Sequence, residues 1–337
     1  MKGYGWFLLT MAALLLLFPL PALSSAQKGS PVDTPPDTAV TTPTTPAVSD
    51  DEPTEEAVFR LLCGEEVVTL TEEDFLIRTL AMEMGPSYHE EALKAQAVAA
   101  YTYYARRREA QAEKADPALM GADFVTPNAA FPDEYTEEKL RLRWGDQYDE
   151  NRQKLAATVA AVRGIALVHD GKLIDACYHA VSNGSTESAE VVWGADIPYL
   201  QAVASPGDRL SAGYASEVTL SAEKVRELLA TELPDAVLGE DPATWFGQPI
   251  LSDGGTVAQQ PIGDTQLAGT RVRQLFALRS AAFAVTYAEG QFTFAVQGYG
   301  HGVGMSQYGA DYLARQGYTY DEILRYYYTD VTIQAAK

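Results

Sequence analysis

The chain has 337 residues, of which 47% are hydrophobic, and it carries a formal net charge of −21 at pH 7. This length and apolar content are sufficient for a folded protein with a hydrophobic core. Because so acidic a surface repels polyanions, the charge argues against DNA, RNA and anionic membrane surfaces as partners, and we expect no nucleic-acid partner.

The first predicted element is an export signal at residues 1–26. Lys2 precedes an apolar run from Tyr4 to Leu23, and small residues ending at Ala26 follow. This pattern is typical of a signal peptide, but the run is also long enough for an uncleaved N-terminal membrane anchor, so both alternatives stay open. In either case we expect an extracytoplasmic protein, secreted or anchored to the outer face of the cytoplasmic membrane.

Residues 27–56 follow as a linker rich in threonine, proline and acidic residues, with almost no large apolar side chains. Such a segment cannot bury enough apolar surface to fold, so we expect it to be disordered. It is either a spacer that holds a domain away from the membrane or an inert tail. A folded domain is predicted at residues 57–333.

The folded domain begins with two short predicted strands, VFRLL and EEVVTL, on either side of Cys63-Gly64. Thr71 is expected to cap a first helix, TEEDFLIRTLAMEM, because three acidic residues follow it and favour a helix start. Gly85-Pro86 ends this helix, and a second helix is expected from about Glu90 to Ala110.

The second half of the domain is dominated by predicted strands. A helical run through Leu155 to Val162 precedes a hairpin, IALVHD and KLIDACYHAVS, with its turn at Asp170-Gly171. Several more strands are expected within residues 275–296, and two short helices are expected to start at Ser306 and Asp321. This mixture predicts an α+β fold rather than a regular alternation of strands and helices.

Cys63 and Cys177 are the two cysteines of the sequence. An oxidising exterior permits a disulfide between them, and two separate buried thiols are the alternative. Cys177 and His179 are two apart on the predicted strand and would face the same side, so the pair could ligate zinc. Because two ligands do not make a zinc site, a core cysteine beside a hydrogen-bonded histidine is favoured.

Glu83 is an acidic residue on the apolar face of the first predicted helix. At 3.6 residues per turn, Leu76, Leu80 and Glu83 form one stripe. If that face is partly dry, desolvation raises the pKa of the carboxyl toward neutrality, as a general acid requires. The alternative is a helix-end glutamate that faces water or pairs with an arginine.

Four segments of the chain, in this order, resemble the sporulation stage II protein D family of peptidoglycan lytic transglycosylases, which includes the amidase-enhancer proteins. They are AMEMGPSYHEEALKAQAVAAYTYYA, YHAVSNGSTESAEVVWGADIPYLQAV, GTRVRQLFALRS and GYGHGVGMSQYGA. The resemblance covers about residues 58–332 and implies that the helices and antiparallel strands surround a glycan-binding groove.

The resemblance implies an enzyme that cuts the β-1,4 bond between N-acetylmuramic acid and N-acetylglucosamine without water and leaves a 1,6-anhydro end. The family's catalytic glutamate lies eight residues before the glutamate of EALKAQ, which is Glu91 here, so the motif also selects Glu83. The acid would protonate the leaving oxygen and then help deprotonate the muramoyl 6-hydroxyl. Because the substrate's own hydroxyl attacks, no second carboxylate and no cofactor are required.

The resemblance further implies peptide-stripped glycan strands as substrate, and a role in sporulation, engulfment or cell-wall remodelling. A cell-wall amidase and other sporulation proteins are possible partners. The glycines of GYGHGVGMSQYGA would let backbone groups meet sugar hydroxyls. Substrate contacts are expected, with a structural role as the alternative in each case, from Lys94, Gln96, Ser182, Asn183, Thr186, His301, Ser306 and Gln307.

One position departs from the family in a way that bears on activity. Tyr101 stands where the family has an arginine, whose guanidinium could hold the catalytic carboxylate or the substrate. This difference favours a rival hypothesis, a non-catalytic peptidoglycan-binding module that stimulates a partner amidase. A third alternative, a zinc peptidase or amidase, would need more metal ligands than four scattered histidines offer.

Overall fold

We analysed a computed structural model that describes residues 57–127 and 131–336. The predicted export signal at 1–26 and the predicted linker at 27–56 lie outside the described residues. The described part combines helices with several small, mostly antiparallel sheets, so the predicted α+β fold class is confirmed. No helix in this part is both long and apolar enough to span a lipid bilayer.

The helices follow one another through the whole of the described chain. In order they are α1 (Glu72–Glu83), α2 (Glu90–Glu113), α3 (Phe131–Glu134), α4 (Glu137–Trp144), α5 (Tyr148–Ala161), α6 (Ala189–Trp193), α7 (Ala222–Glu232), α8 (Gly269–Leu275), α9 (Gln307–Arg315) and α10 (Tyr320–Tyr327). Thr71 caps α1 as predicted, because its side chain accepts a hydrogen bond from the Asp74 N–H at 3.1 Å. The two predicted C-terminal helices are confirmed as α9 and α10.

The strands are short and form separate small sheets. They are β1 (Val58–Cys63), β2 (Glu66–Thr71), β3 (Phe124–Val125), β4 (Ile165–His169), β5 (Lys172–Leu173), β6 (Tyr178–His179), β7 (Ala215–Ser221), β8 (Ile250–Leu251), β9 (Val257–Ile262), β10 (Thr265–Ala268), β11 (Ala282–Ala288), β12 (Gln291–Gln297), β13 (Met305–Ser306) and β14 (Thr332–Ala335). The strand orders are β2-β1-β3, β14-β4-β5, β13-β6, β10-β9-β8 and β11-β12-β7.

A first hydrophobic core surrounds α2. Five alanines in the first half of this helix are fully buried, which lets α1, α5, α9, α10 and β4 pack closely against it: Ala92, Ala95, Ala97, Ala99 and Ala100. A second core lies around Trp245, Phe292 and Phe294 and is covered by α7, α8 and the β7, β9, β11 and β12 strands. Residues 215–268, which contribute many side chains to this second core, had no predicted elements.

The predicted hairpin after α5 is confirmed, but its second arm is much shorter than expected. The arm ends after Lys172–Leu173, and the chain then leaves that sheet. Tyr178–His179 instead pairs in parallel with Met305–Ser306, so a long-range contact overrides the local strand pattern. Cys177 lies just outside this short strand. The two cysteines are half-buried and not bonded to each other, which corresponds to the alternative of two separate thiols.

Candidate functional site

Glu83 is the last residue of α1 and is partly buried. One of its carboxylate oxygens, Oε2, accepts a hydrogen bond from Gln307 Nε2 at 2.9 Å. Burial raises the pKa of the Glu83 carboxyl, and the hydrogen bond from Gln307 opposes this rise. The ion pairs formed among the described residues do not include Glu83. The structure therefore places a carboxyl with a raised pKa on this helix face, rather than one paired with an arginine.

Replacing Glu83 by glutamine is expected to stabilise the fold at about pH 8, because the amide removes the cost of a partly buried carboxylate. The gain is full above the raised pKa of the folded state and disappears as the pH falls to about 4.3, the ordinary glutamate pKa. A gain of about 1 kcal/mol in the free energy of unfolding would raise Tm by about 2–4 °C. Thermal unfolding at both pH values measures this, and a lower Tm at both would contradict it.

Gln307 and Gln96 form a pair of buried amides behind Glu83. Gln307 is the first residue of α9, and Gln96 lies on α2. Gln307 Nε2 also lies 3.4 Å from Gln96 Oε1, and the two side chains are 3% and 0% exposed respectively. Gln96 Nε2 is buried without a hydrogen-bond partner among the described residues. Gln307 therefore contacts Glu83 directly, and Gln96 contacts Gln307.

Two tyrosines stand near the Glu83 carboxyl. Burial raises the pKa of Tyr104, and the neighbouring Glu83 carboxylate raises it further. The pKa of Tyr178 is raised by burial, by Tyr104 and by Glu83 in the same way. The closeness of Tyr104 to Glu83 was not predicted, because helical periodicity does not tell which buried tyrosine faces an acid.

The segment 298–304, here called the glycine-rich loop, has four glycines at alternate positions. Gly298, Gly300, Gly302 and Gly304 all have positive φ angles, between 71° and 121°. An added Cβ would lie 2.8 Å from the Val181 carbonyl oxygen at the first of these, 2.7 Å from the His179 Cβ at the second and 3.4 Å from the Glu187 Cβ at the third. At Gly304 it would overlap the carbonyl oxygen of Cys177.

These contacts give the glycines a structural role, and contact of the loop with sugar hydroxyls stays a prediction. The sides of the glycines that lack a Cβ face the segment that carries Cys177 and Glu187. The Glu187 N–H also donates to the Gly302 carbonyl oxygen at 2.7 Å. Glycine is thus needed because two backbones run side by side in this part of the fold.

Ser306 and Ser182 meet at one buried aspartate, Asp208. Asp208 is 0% exposed and accepts hydrogen bonds from Ser306 Oγ at 2.8 Å, from the Ser182 N–H at 2.9 Å and from Ser182 Oγ. Burial raises the pKa of Asp208, and these hydrogen bonds oppose the rise. Ser306 also caps α9, because its Oγ accepts from the Gly309 N–H at 3.2 Å. Both serines therefore fix the loop against its neighbours, and no sequence pattern pointed to Asp208.

Glu187 is a second buried carboxylate under the glycine-rich loop and is 1% exposed. It accepts hydrogen bonds from Thr256 Oγ1 at 2.7 Å, from the Ser188 N–H at 2.9 Å and from Ser252 Oγ. Glu187 lies within the segment YHAVSNGSTESAEVVWGADIPYLQAV, but no role was predicted for it. It ties the loop to the turn that precedes β9.

Three further predicted substrate residues are held by other parts of the protein. Thr186 is 0% exposed, and its Oγ1 accepts from the Val203 N–H at 2.8 Å. Asn183 Nδ2 donates to the Gly254 carbonyl oxygen at 3.0 Å. Lys94 forms ion pairs with Glu90 at 2.7 Å and with Glu91 at 2.8 Å, which raise its pKa. Their contact with substrate stays a prediction.

His301 is held in a neutral form beside an exposed aromatic ring. Its Nδ1 accepts a hydrogen bond from the Val303 N–H at 3.1 Å. Burial and the nearby Arg273 cation lower its pKa to about 4, so the imidazole is uncharged at neutral pH. The ring of Trp193, which is 48% exposed, lies 5.4 Å from the His301 ring. His301 can therefore offer hydrogen bonds or stacking to a ligand, but not a positive charge.

Cys177 and His179 show little of the chemistry of a zinc site. Burial raises the pKa of the Cys177 thiol to about 12 and, with His301 nearby, lowers that of His179 to about 3. His179 Nδ1 lies 3.2 Å from the Val303 carbonyl oxygen, to which it donates. Within residues 57–127 and 131–336, no three histidine, cysteine, aspartate or glutamate residues lie close enough together to hold a metal ion.

Tyr101 lies away from the candidate acid. Its ring packs 6.4 Å from that of Phe59, and burial raises its pKa, with Glu72 and Arg108 close by. Glu72 begins the 12-residue helix that Glu83 ends, which places the two about 16 Å apart along the helix axis. The side chain at position 101 thus points to the opposite end of α1, so an arginine there would not hold Glu83.

Comparisons with known proteins agree with the motifs. The family model described as "Stage II sporulation protein" matches residues 64–169. The chain is 36% identical to Stage II sporulation protein D of Bacillus amyloliquefaciens over 265 residues, 78% of this chain and 74% of that protein. It is 32% identical to Stage II sporulation protein D of Bacillus subtilis over 350 residues, 100% of this chain and 97% of that protein. It is also 26% identical to the Amidase enhancer of Bacillus subtilis over 300 residues, 74% of this chain and 39% of that protein.

Proposed function

The chain belongs to the stage II sporulation protein D family, and we propose that it is a peptidoglycan lytic transglycosylase with Glu83 as its acid. The observation that carries this proposal is the Glu83 carboxyl itself. It is partly buried, it has a raised pKa, and Gln307 fixes one oxygen at 2.9 Å. A carboxyl with a raised pKa keeps its proton to a higher pH than an ordinary glutamate, and this one is oriented by a second element of the fold.

One carboxyl can serve both halves of the reaction. In its protonated form Glu83 gives a proton to the glycosidic oxygen as the bond to the anomeric carbon breaks. The resulting carboxylate then accepts the proton of the muramoyl 6-hydroxyl, whose oxygen bonds to the same carbon and forms the anhydro ring. Gln307 stabilises the carboxylate form through its N–H, so the hydrogen bond supports the second half of the cycle.

The glycine-rich loop carries an exposed aromatic ring and lies beside another, as suits a glycan. Tyr299 belongs to the loop and is 51% exposed, and the 48% exposed Trp193 lies 5.4 Å from the ring of His301 in the loop. Exposed aromatic rings are common stacking partners for apolar sugar faces. We propose that strands stripped of their stem peptides bind along this surface in the extracytoplasmic space, during sporulation or cell-wall remodelling, without a cofactor.

A second candidate function rests on the similarity to the Amidase enhancer of Bacillus subtilis. In this alternative the chain binds glycan strands without cutting them and stimulates an amidase. Tyr101 lies near Glu72, at the end of α1 opposite Glu83, so the absence of an arginine there does not argue against Glu83 as the acid.

Mass spectrometry of purified glycan strands after incubation with the full chain tests these alternatives. Products with 1,6-anhydromuramoyl ends support the proposal, whereas reducing ends would mean hydrolysis with an activated water. If strands are bound but uncut, and an added cell-wall amidase works faster in the presence of the chain, the second function is favoured. Loss of activity on chelation would instead point to a metal-dependent enzyme.

A further inference from the structure

Arg273, on α8, is a half-buried cation without a carboxylate partner among the described residues. Its Nε donates to the Leu278 carbonyl oxygen at 3.3 Å, and this is the one hydrogen bond that the guanidinium forms within that part of the chain. Desolvation lowers the pKa of the guanidinium, although an arginine stays charged. A guanidinium has five N–H donors, so most of those of Arg273 are free of protein acceptors in the described residues and can be offered to an anion.

The position of Arg273 connects it with the candidate site. Arg273 donates to the Leu278 carbonyl oxygen, and the carbonyl oxygen of the next residue, Arg279, accepts from the Gly300 N–H at 3.0 Å, so Arg273 lies beside the segment that leads into His301. In agreement with this position, the cation lowers the pKa of both His301 and His179. Arg279, a second arginine without an ion pair in the described residues, lies 5.3 Å from the ring centroid of the exposed Tyr299. Two arginines without ion pairs in that part of the chain therefore lie beside the His301 segment, on a chain whose net charge is −21.

The spacing along the loop fits a ligand that extends beyond the reacting bond. Gln307, which contacts Glu83, follows His301 by six positions. Six extended residues span at most about 20 Å, so His301 and Gln307 lie within the reach of one short oligosaccharide.

We propose that Arg273 binds the lactyl carboxylate of a muramic acid residue that has lost its stem peptide. This inference rests on the proposed function, and it names the feature of the substrate that the site recognises. In a peptide-bearing strand the lactyl carboxyl is a neutral amide, whereas removal of the peptide leaves a carboxylate. A guanidinium can bind both carboxylate oxygens through parallel N–H donors, which an amide cannot match.

The test measures binding rather than cleavage, so that it does not depend on activity. Peptide-free strands are compared with the same strands after chemical conversion of their carboxylates to methylamides. Every protein in this test is the full chain in mild detergent and carries Glu83→Gln, so that the strands are bound but not cleaved. We expect the carboxylate strands to bind about tenfold more tightly, and Arg273→Gln to reduce this preference to about one.

Two further variants control the result. Arg152→Gln removes the same charge from an exposed position on α5 that has no ion pair in the described residues, and it should leave the tenfold preference unchanged. Arg273→Lys keeps the charge but loses the bidentate pair of N–H donors. Its preference for carboxylate strands should therefore fall below that of the protein that retains Arg273.

Three results would overturn the inference. They are a parent protein that binds both strands equally, an Arg273→Gln protein with normal Tm and an unchanged preference, and an Arg273→Lys protein with the full preference. The proposed function fails in a different measurement, the appearance of anhydromuramoyl ends. The carboxylate preference in binding is measured independently of that result.

Discussion

Replacing Glu83 by glutamine is expected to reduce the rate of glycan-strand cleavage by about 10²- to 10⁴-fold, the usual contribution of a positioned acid. Glutamine has nearly the same shape and can still accept the hydrogen bond from Gln307, but it has no proton of suitable acidity to give. Strand binding should remain within about twofold, because the contact surface is unchanged. The rate at which anhydromuramoyl ends appear measures the first effect, and strand sedimentation measures the second.

Glu73→Gln is the matched control for this variant. Glu73 lies in the first turn of the same helix, and its ion pair with Arg163 at 2.8 Å is solvent-exposed. Exposed pairs of this kind contribute about 0–1 kcal/mol, so cleavage and folding should both be close to those of the parent protein. A Glu83→Gln enzyme that keeps more than about a tenth of the parent rate would exclude Glu83 as the acid.

Gly304→Ala is expected to destabilise the protein by about 3 kcal/mol or more, the largest effect on folding that we predict for a single methyl group. Gly304 has a φ of 71°, a conformation that costs an alanine about 1–2 kcal/mol. In addition, the new Cβ would overlap the Cys177 carbonyl oxygen, a backbone atom that cannot rotate away. Overpacking of this kind costs about 1–3 kcal/mol or more.

Gly290→Ala separates the two causes. Gly290 has a similar φ of 78°, but nothing lies within 4 Å of the position of an added Cβ. This variant should therefore lose only the conformational part, about 1–2 kcal/mol. Denaturant unfolding of both proteins gives the difference, and equal losses would show that the close approach to Cys177 is not what requires glycine at 304.

Glu83 could be selected from the sequence because its signal is local. Its helix start, helix end and apolar neighbours all lie within residues 71–86, and the structure confirms that helix and its partly buried acidic end. The role of Glu83 as the acid stays a prediction. Periodicity along one helix is sufficient for such an inference, since it needs no knowledge of which segments meet in space.

The rest of the site depends on contacts between distant segments. Asp208 joins Ser182 and Ser306, which are 26 and 98 residues away from it, and nothing in the local sequence marks it. For the same reason the close contact of the glycine-rich loop with another segment was not predicted, and its contact with a ligand stays a prediction. No elements were predicted within residues 215–268, where β8 and β10 are short, β7 has no fully buried residue and α7 buries only Val225 and Leu229.

The hydrogen bond between Gln307 and Glu83 joins residues 224 positions apart. Until the C-terminal tenth of the chain has been synthesised and has docked, Glu83 is an ordinary, solvated glutamate that is ionised at neutral pH. If Glu83 is the acid, as proposed, an unfinished or truncated chain is unable to cleave glycan strands. The order of the sequence would then delay activity until the last helices have been synthesised, because α9 supplies the hydrogen bond that orients the carboxyl at the end of α1.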